Sequence, residues 1–424
     1  MTEIIATPYV PGLAQGPVSH DPEREGAITV ISGSALPLDT RPAGVVVVDG
    51  AMFSHPMLEL LAKGIPTVIM SAGQAASLDN GQMVLLDGHK GSVTDLSVGI
   101  SADAHPPVAP KPGESIMTAD GVAVALRATV RSAAGAERAK ILGAESIGLV
   151  RTEYLEPEAG RVPDSTFYKQ VFGELFAAAD PLDVTLRLID IAADKFPAWI
   201  SGTRRRGGAL GEQGARLFRD EPLRSVVSAQ LDGLARSTAT RKVKLLVPYI
   251  TTLEEMRQLK EWIGSRLDLP VGAMIETPAA ALDIAGHLEI ADFAALGTND
   301  LMQCLFAADR DDPALQHYLD PYSPMLYRFL AQIAGEAGEK LPLLQVCGLL
   351  SHLPGVLPVM MGLGFRNFSV GAPYIPYLAM TVRETNTNEA SALAGDVCRL
   401  KERSAVKVLL GGVAGNLAGS AKVR

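Results

Sequence analysis

Four groups of residues in this 424-residue chain carry side chains that could do chemistry. The first is Ser54-His55-Pro56, which follows the apolar run GVVVVDG and opens a helical pattern. A neutral imidazole is a nucleophile able to form a covalent intermediate. Phosphorylated there, it would hold its anion near the positive end of a helix dipole. The competing role is a surface or capping histidine. The second group is arginine: Arg151 at the end of SIGLV, Arg187 inside VTLRLID, Arg216 in GARLFR and Arg310 after AAD. Arg187 interrupts an apolar strand pattern, where a charge is costly unless paired. Guanidinium groups converging on one spot would make a dianion site, because their planar fork suits phosphate and carboxylate. The third group is Glu276 in AMIETPAAA and Asn299-Asp300 in ALGTNDL. Two carboxylates at neighbouring strand ends suit a hard cation such as Mg²⁺. Helix capping by Thr277, Asn299 and Asp300 is the equally ordinary role. The fourth is Cys347-Gly348 after LLQV, either inert packing or a proton donor and acceptor.

Residues this scattered need a scaffold that gathers them. Before residue 101 the chain has short strand-like runs, Ala27–Ser32, Gly44–Asp49, Thr67–Ser71 and Met83–Asp87, with a helical pattern over Pro56–Gly64 closed by Gly64 and Pro66. The segment SADAHPPVAPKPGESIMTADG has no hydrophobic period and four prolines, so a boundary falls there. Afterwards apolar strands alternate with longer helices: Ser146–Val150, Val184–Ile189, Lys244–Pro248, Val271–Ile275, Phe293–Gly297, Leu343–Cys347 and Asn367–Val370. Seven or eight strands of this kind predict a parallel closed barrel. Arg151, Asp190, Glu276, Asn299, Asp300 and Cys347 then stand at or just past strand ends, which is where such barrels carry active sites. The expected organisation is α/β: a small β/α domain over 1–100, a linker over 101–118, a (β/α)8 barrel over 119–404 and a tail over 405–424. The Gly/Ala-rich tail reads equally as frayed, capping or an oligomer contact.

Composition narrows the function classes. Hydrophobic residues make up 47% and charged residues 20%, ordinary for a chain with a real core and unlike a disordered one. The net charge of −9 argues against nucleic acid as a partner. Mean hydropathy is +0.18, yet no apolar run approaches the roughly 20 residues of a membrane span. No secretory signal is visible in MTEIIATPYVPG, and Cys304, Cys347 and Cys398 are too few and scattered for a disulfide framework or a Cys-type zinc site. A cytoplasmic protein without a membrane partner is the expectation.

Taken together, the segments resemble the phosphoenolpyruvate-utilising enzymes: enzyme I of the sugar phosphotransferase system, pyruvate phosphate dikinase and phosphoenolpyruvate synthase. The resemblance spans nearly the whole chain. It rests on PYVPGLAQG at Pro8–Gly16, Ser54-His55 with Gly64-Ile65-Pro66, GAESIGLVRTEYL at Gly143–Leu155, Glu276–Ala280, GTNDL at Gly297–Leu301 and Cys347-Gly348, all in the family's order. The barrel motifs look closest to enzyme I. The resemblance implies a swivelling phosphohistidine domain bearing His55, with the 101–118 linker as hinge, and a homodimer. It implies that Arg151, Arg187 and Arg216 hold the phosphoryl group, and that Asn299 and Arg310 hold the carboxylate of phosphoenolpyruvate. Glu276 and Asp300 would bind Mg²⁺, and Cys347 would protonate the enolate of pyruvate.

Three positions depart from the family pattern: Pro56 after the histidine, Ala192-Ala193 where a glycine pair is usual, and Leu349 where an acidic residue or glutamine is usual. Leu349 makes the acceptor side of the pocket more apolar. Residues 1–100 also leave no room for enzyme I's carrier-binding subdomain, and no ATP-grasp domain accompanies the histidine domain. The expectation is therefore an Mg²⁺-dependent phosphotransferase that moves phosphoryl between phosphoenolpyruvate and His55 and then to a separate phosphocarrier. The alternative is one subunit of a split dikinase, served by an ATP-grasp partner and acting on pyruvate or another small, even phenolic, acceptor. A non-catalytic scaffold is the third reading; retention of His55, Glu276, Asp300 and Cys347 together argues against it.

Overall fold

A computed structural model of the protein describes residues 3–38, 40–96, 107–157, 160–191, 197, 199–200, 210–211, 213–237 and 242–420, with side chains as far as residue 413. The N-terminal part is an eight-stranded mixed sheet in the order β1-β8-β7-β3-β4-β5-β6-β2. Its strands are β1 (Glu3–Ile5), β2 (Thr7–Val10), β3 (Leu13–Ser19), β4 (Ile28–Ser32), β5 (Gly44–Val48), β6 (Thr67–Met70), β7 (Met83–Asp87) and β8 (Ser92–Asp95). Strands β3 to β6 run parallel. Strand β5 is the continuous apolar run expected of a parallel strand covered on both faces; Val45, Val46 and Val47 are wholly buried. Helix α1 (His55–Lys63) makes the crossover from β5 to β6. Met57, Leu58, Leu60 and Leu61 are its buried positions, at the spacing of one broad helical face.

The rest is a closed barrel of eight parallel strands: β10 (Ala123–Val130), β11 (Ile147–Arg151), β12 (Val184–Arg187), β13 (Val243–Ile250), β14 (Val271–Ile275), β15 (Phe293–Gly297), β16 (Leu344–Cys347) and β17 (Asn367–Gly371). Strand β10 pairs with both β17 and β11, which closes the ring. A two-residue strand, β9 (Ile116–Met117), pairs antiparallel with β10 ahead of the barrel. The seven strand runs read from the sequence correspond to β11–β17 within a few residues. Strand β10 was not among them: Arg127 breaks its apolar run, because the side chain bonds Glu145, Gln345 and Asn367 across the barrel.

The C-terminal stretch is helical over Arg403–Ser420, and Val406 and Leu410 are fully buried, so its first half is a packed segment. No helix among the described residues is long and apolar enough to cross a membrane. Residues 97–106, which include the first third of the segment expected to hinge, and Ala192-Ala193 lie outside the described residues.

The β/α sheet domain sits over the barrel mouth, and α1 makes much of the contact. At its C-terminal end Arg138, from the helix after β10, donates to the carbonyls of Lys63 (3.0 Å) and Gly64 (3.4 Å). Gly64 has φ 62°, the left-handed region that favours glycine, and the absence of a Cβ lets the Arg138 guanidinium come in close. Leu61 rests against Gly371 at the end of β17, where a Cβ would stand 2.8 Å from its methyl. His89, in the β7–β8 turn, stacks on Tyr377 with ring centres 4.3 Å apart. Apolar residues of both parts, including Met57, Leu61, Leu126 and Val370, belong to one continuous buried cluster. This continuity packs the docked arrangement of the two parts.

Candidate active site at the barrel mouth

The N-terminal end of α1 brings His55 to the barrel. Ser54 is at the N-cap but makes no capping bond. The orphan N–H of His55 is taken instead by Asp311 Oδ1 at 3.1 Å, from the loop beyond β15. The imidazole Nδ1 bonds the other oxygen of Asp311 at 3.0 Å. Nε2 lies 2.9 Å from Arg310 Nη2. A guanidinium only donates, so Nε2 accepts and Nδ1 carries the proton given to Asp311. The two ends of α1 are thus complemented from the barrel, a carboxylate at the positive end and Arg138 at the negative end. His55 and its neighbouring bonds hold the Asp311 carboxyl below the usual range, against the opposing effect of its burial.

Behind His55 the strand ends form one polar cluster. Arg187, the last residue of β12, is 3% exposed and bonds Glu153 Oε1 (2.6 Å) and Asp190 Oδ2 (2.9 Å). Arg151 bonds the same Glu153 oxygen at 3.0 Å. Burial alone would lower the Arg187 pKa; Asp190, Glu153, Glu276 and Asp300 outweigh it and raise it. Arg310 pairs with Asp300 at 3.1 Å while its other nitrogen meets His55. Glu276 accepts the N–H of Tyr249 at 3.2 Å, and Tyr249 adopts φ 52° in an irregular stretch of β13. Burial first, then the neighbouring Asp300 and Asp190 carboxylates, push Glu276 up to about 8. Asn299 accepts the N–H of Leu349 at 2.9 Å, which leaves its amide donors for another group. Cys347 ends β16, 2% exposed, with its sulfur accepting from Gln345 at 3.2 Å; burial drives the thiol up to about 12.

The capping alternatives are resolved by these contacts. Thr277 is indeed an N-cap, accepting from Ala280. Asn299 and Asp300 lie inside the first turn of Thr298–Phe306, with Gly297 at the cap, so their side chains are engaged elsewhere. A cavity of about 340 Å³ lies between α1 and the mouth and is lined by Arg151, Arg187, Glu276, Asn299, Asp300, Arg310 and Cys347. Arg216 does not line it. Its guanidinium bonds the Gly211 carbonyl and Thr251 and sits 5.0 Å from the Tyr249 ring centre.

Four contributors were not singled out from sequence. Asp311 was hidden in the acidic run Asp309–Asp312, where nothing distinguishes the one that meets His55. Glu153 lies in RTEYL but reads as an ordinary surface acid. Arg131 lines the cavity from the end of unrecognised β10; it covers Tyr154 at 4.0 Å, and burial and Arg151 lower its pKa. His352 also lines the cavity, its Nε2 accepting the Gly371 N–H at 3.0 Å and its ring stacked on Tyr374 at 4.1 Å.

Known proteins give the same arrangement a context. The family model for the PEP-binding domain of PEP-utilising enzymes matches residues 111–387. A phosphoenolpyruvate-protein phosphotransferase of Haloferax volcanii is 28% identical over 412 residues, covering 91% of this chain and 72% of that protein. One from Bacillus sp. (strain S) is 27% identical over 406 residues, covering 88% and 69%. Multiphosphoryl transfer protein 1 of Escherichia coli is 24% identical over 391 residues, covering 87% of this chain and 47% of that protein. With its barrel matched along most of its length, this chain belongs to the PEP-utilising enzyme family.

Proposed function

We propose that this protein moves a phosphoryl group between phosphoenolpyruvate at the barrel mouth and Nε2 of His55, and from there to a separate phosphocarrier protein. The observation that carries the reading is the 2.9 Å bond between Arg310 and His55 Nε2, because it brings the nucleophilic nitrogen to the edge of the arginine–carboxylate cluster. Asp311 keeps the proton on Nδ1, so the lone pair is at Nε2, which becomes the nucleophile once Arg310 gives its N–H to the substrate. Arg151 and Arg187 offset the charge of the phosphoryl oxygens; Asn299 and Arg310 receive the carboxylate. As the bond from phosphorus to the enol oxygen breaks, the bond to Nε2 forms, and the enolate takes a proton at C3 from the Cys347 thiol. The names of the relatives, which specify phosphotransfer to protein, support a protein as second acceptor.

Glu276 and Asp300 suit Mg²⁺. Burial first and the neighbouring carboxylates second disfavour the Glu276 charge, and a hard cation would offset both; Mg²⁺ commonly uses one or two carboxylates plus substrate oxygens. When bound, the ion supplies further neutralisation of the transferred group.

The test is intact mass after incubation with phosphoenolpyruvate and Mg²⁺. One acid-labile phosphoryl group is expected, absent in His55→Ala and absent after chelation. Failure of the folded wild type to take it up sinks the reading and directs attention to ATP and a partner chain.

Docking gives a second expectation. Arg138→Ala removes the guanidinium that holds the C-terminal end of α1, the end opposite His55. It should slow His55 phosphorylation about tenfold, in line with one charge-assisted bond of roughly 1.4 kcal/mol. Hydrogen–deuterium exchange at C3 of pyruvate, which needs only the barrel, should continue at the wild-type rate. Equal loss in both assays would mean that Arg138 supports the barrel fold instead.

A further inference from the structure

The arginines that line the cavity differ in how many of their donors are already spent. Arg187 commits both terminal nitrogens, to Glu153 and Asp190. Arg310 divides its own between Asp300 and His55. Arg138 gives both to the carbonyls that end α1, and Arg151 gives Nε to Glu153. Arg131 makes no hydrogen bond and no ion pair among the described residues. It is held by its face, with its guanidinium carbon 4.0 Å from the centre of the Tyr154 ring. Stacking occupies the face of a guanidinium and leaves its five N–H groups, which lie in the plane, to point outwards. Arg151 stands 5.3 Å from the same ring centre, so one tyrosine gathers two guanidinium groups at the cavity wall. Burial first, and then the Arg151 charge, disfavour the charge on Arg131. An anion shared by the two guanidinium groups would offset both. Glu59 attracts Arg131 without bonding it; it lines the cavity from α1, one helical turn beyond His55. Arg216, to which the family resemblance gives the role of third phosphoryl arginine, sends its guanidinium to Gly211 and Thr251 instead.

We propose that Arg131 is the third guanidinium of the phosphoryl site, donating beside Arg151 to the peripheral oxygens of the group in transfer. The inference rests on the phosphotransfer reading above and adds a substrate-touching residue to it. The two arginines stand at adjacent strand ends: Arg131 directly follows β10, Arg151 ends β11, and these strands pair in parallel. In the step, the bond from phosphorus to the enol oxygen breaks and the bond from phosphorus to His55 Nε2 forms. The three remaining oxygens keep their charge throughout. Arg131 gains and loses no proton; it holds those oxygens while the phosphorus moves. Its donors are uncommitted, so it meets them without first breaking a bond within the protein, whereas Arg310 must release His55.

The experiment uses the full chain with Mg²⁺ and two unreactive probes. Phosphoglycolate carries a phosphoryl group and a carboxylate; oxalate carries carboxylates alone. Arg131→Met keeps an unbranched side chain against Tyr154 and removes the donors. It should weaken phosphoglycolate binding by about tenfold or more, the loss of a charge-assisted bond, and leave oxalate within about twofold. The single-turnover rate of His55 phosphorylation should fall by about 10²–10³. Arg131→Lys keeps the charge without the fork and should recover part of both. Glu59→Gln should keep the wild-type rate. Equal weakening of both probes in Arg131→Met would make the residue a support of the barrel mouth. A loss in Glu59→Gln as large as in Arg131→Met would make it a docking contact for α1. Either result, or phosphoglycolate binding unchanged in Arg131→Met, overturns the proposal while leaving phosphotransfer standing. No phosphoryl uptake from phosphoenolpyruvate by the folded wild type overturns the underlying reading itself.

Discussion

Arg187→Met is expected to abolish phosphorylation of His55 and to destabilise the barrel in the same molecule. The side chain is 3% exposed and ties Glu153 to Asp190 across adjacent strand ends. Removing one partner of a buried ion pair leaves the others uncompensated, which costs about 3–5 kcal/mol. Here Asp190 loses the cation it pairs with, Glu153 is left with Arg151, and Glu276 and Asp300 lose a favourable neighbour. On the chemical side the loss of one preorganised donor at a developing charge costs about 10²–10³ in rate. Arg151 would also lose the shared geometry of Glu153, so a total near 10³ or more is expected. Urea unfolding measures the first effect and the rate of phosphoryl uptake the second. Arg187→Lys separates them: one point charge can offset the carboxylates but cannot fork between Glu153 and Asp190. It should recover part of the stability and little of the rate. A stable, fully active Arg187→Met would exclude Arg187 from the phosphoryl site.

The barrel was legible because its central strands are covered on both faces and so read as unbroken apolar runs, β14 and β15 above all. The residues at their ends stood out by contrast, since a charge directly after such a run has no ordinary packing role. That contrast singled out Arg187, Glu276, Asp300 and Cys347, which the structure brings to one cavity. It failed where polar residues belong to the barrel interior. Arg127 sits within β10 and hid that strand, and Arg131 at its end was missed with it. It also failed for contacts between the two parts of the chain. Asp311 matters because α1 arrives 256 positions away in sequence, and no local pattern encodes that meeting. Arg216 shows the opposite limit. Its place in the chain resembles the family's third arginine, yet its guanidinium is drawn to Thr251 and the Tyr249 ring, outside the cavity. Residue type and order narrow the candidates, and side-chain direction decides among them.

Cys347→Ala should split the two halves of the reaction. The thiol is buried at the end of β16 with its pKa raised to about 12, so it is protonated throughout the neutral range. That suits an acid that delivers a proton to the enolate. It contributes nothing to bringing phosphorus and Nε2 together, which depends on α1, Asp311 and the arginines. A single turnover of His55 phosphorylation should therefore survive in Cys347→Ala within about tenfold. Exchange at C3 should fall by about 10²–10⁴, the usual contribution of a positioned acid or base. The pH dependence carries the sign. Removing a C3 proton needs the thiolate, whose fraction grows tenfold per pH unit below about 12, so wild-type exchange should climb steadily from pH 6 to 9. Proton delivery needs the thiol, which is saturated over that range, and should stay flat. Cys347→Ser places a hydroxyl of much higher pKa at the same spot and should not restore exchange. If both half-reactions fall together in Cys347→Ala, the sulfur's role is to pack against Gln345 and hold the strand end, and the proton must come from another group lining the cavity.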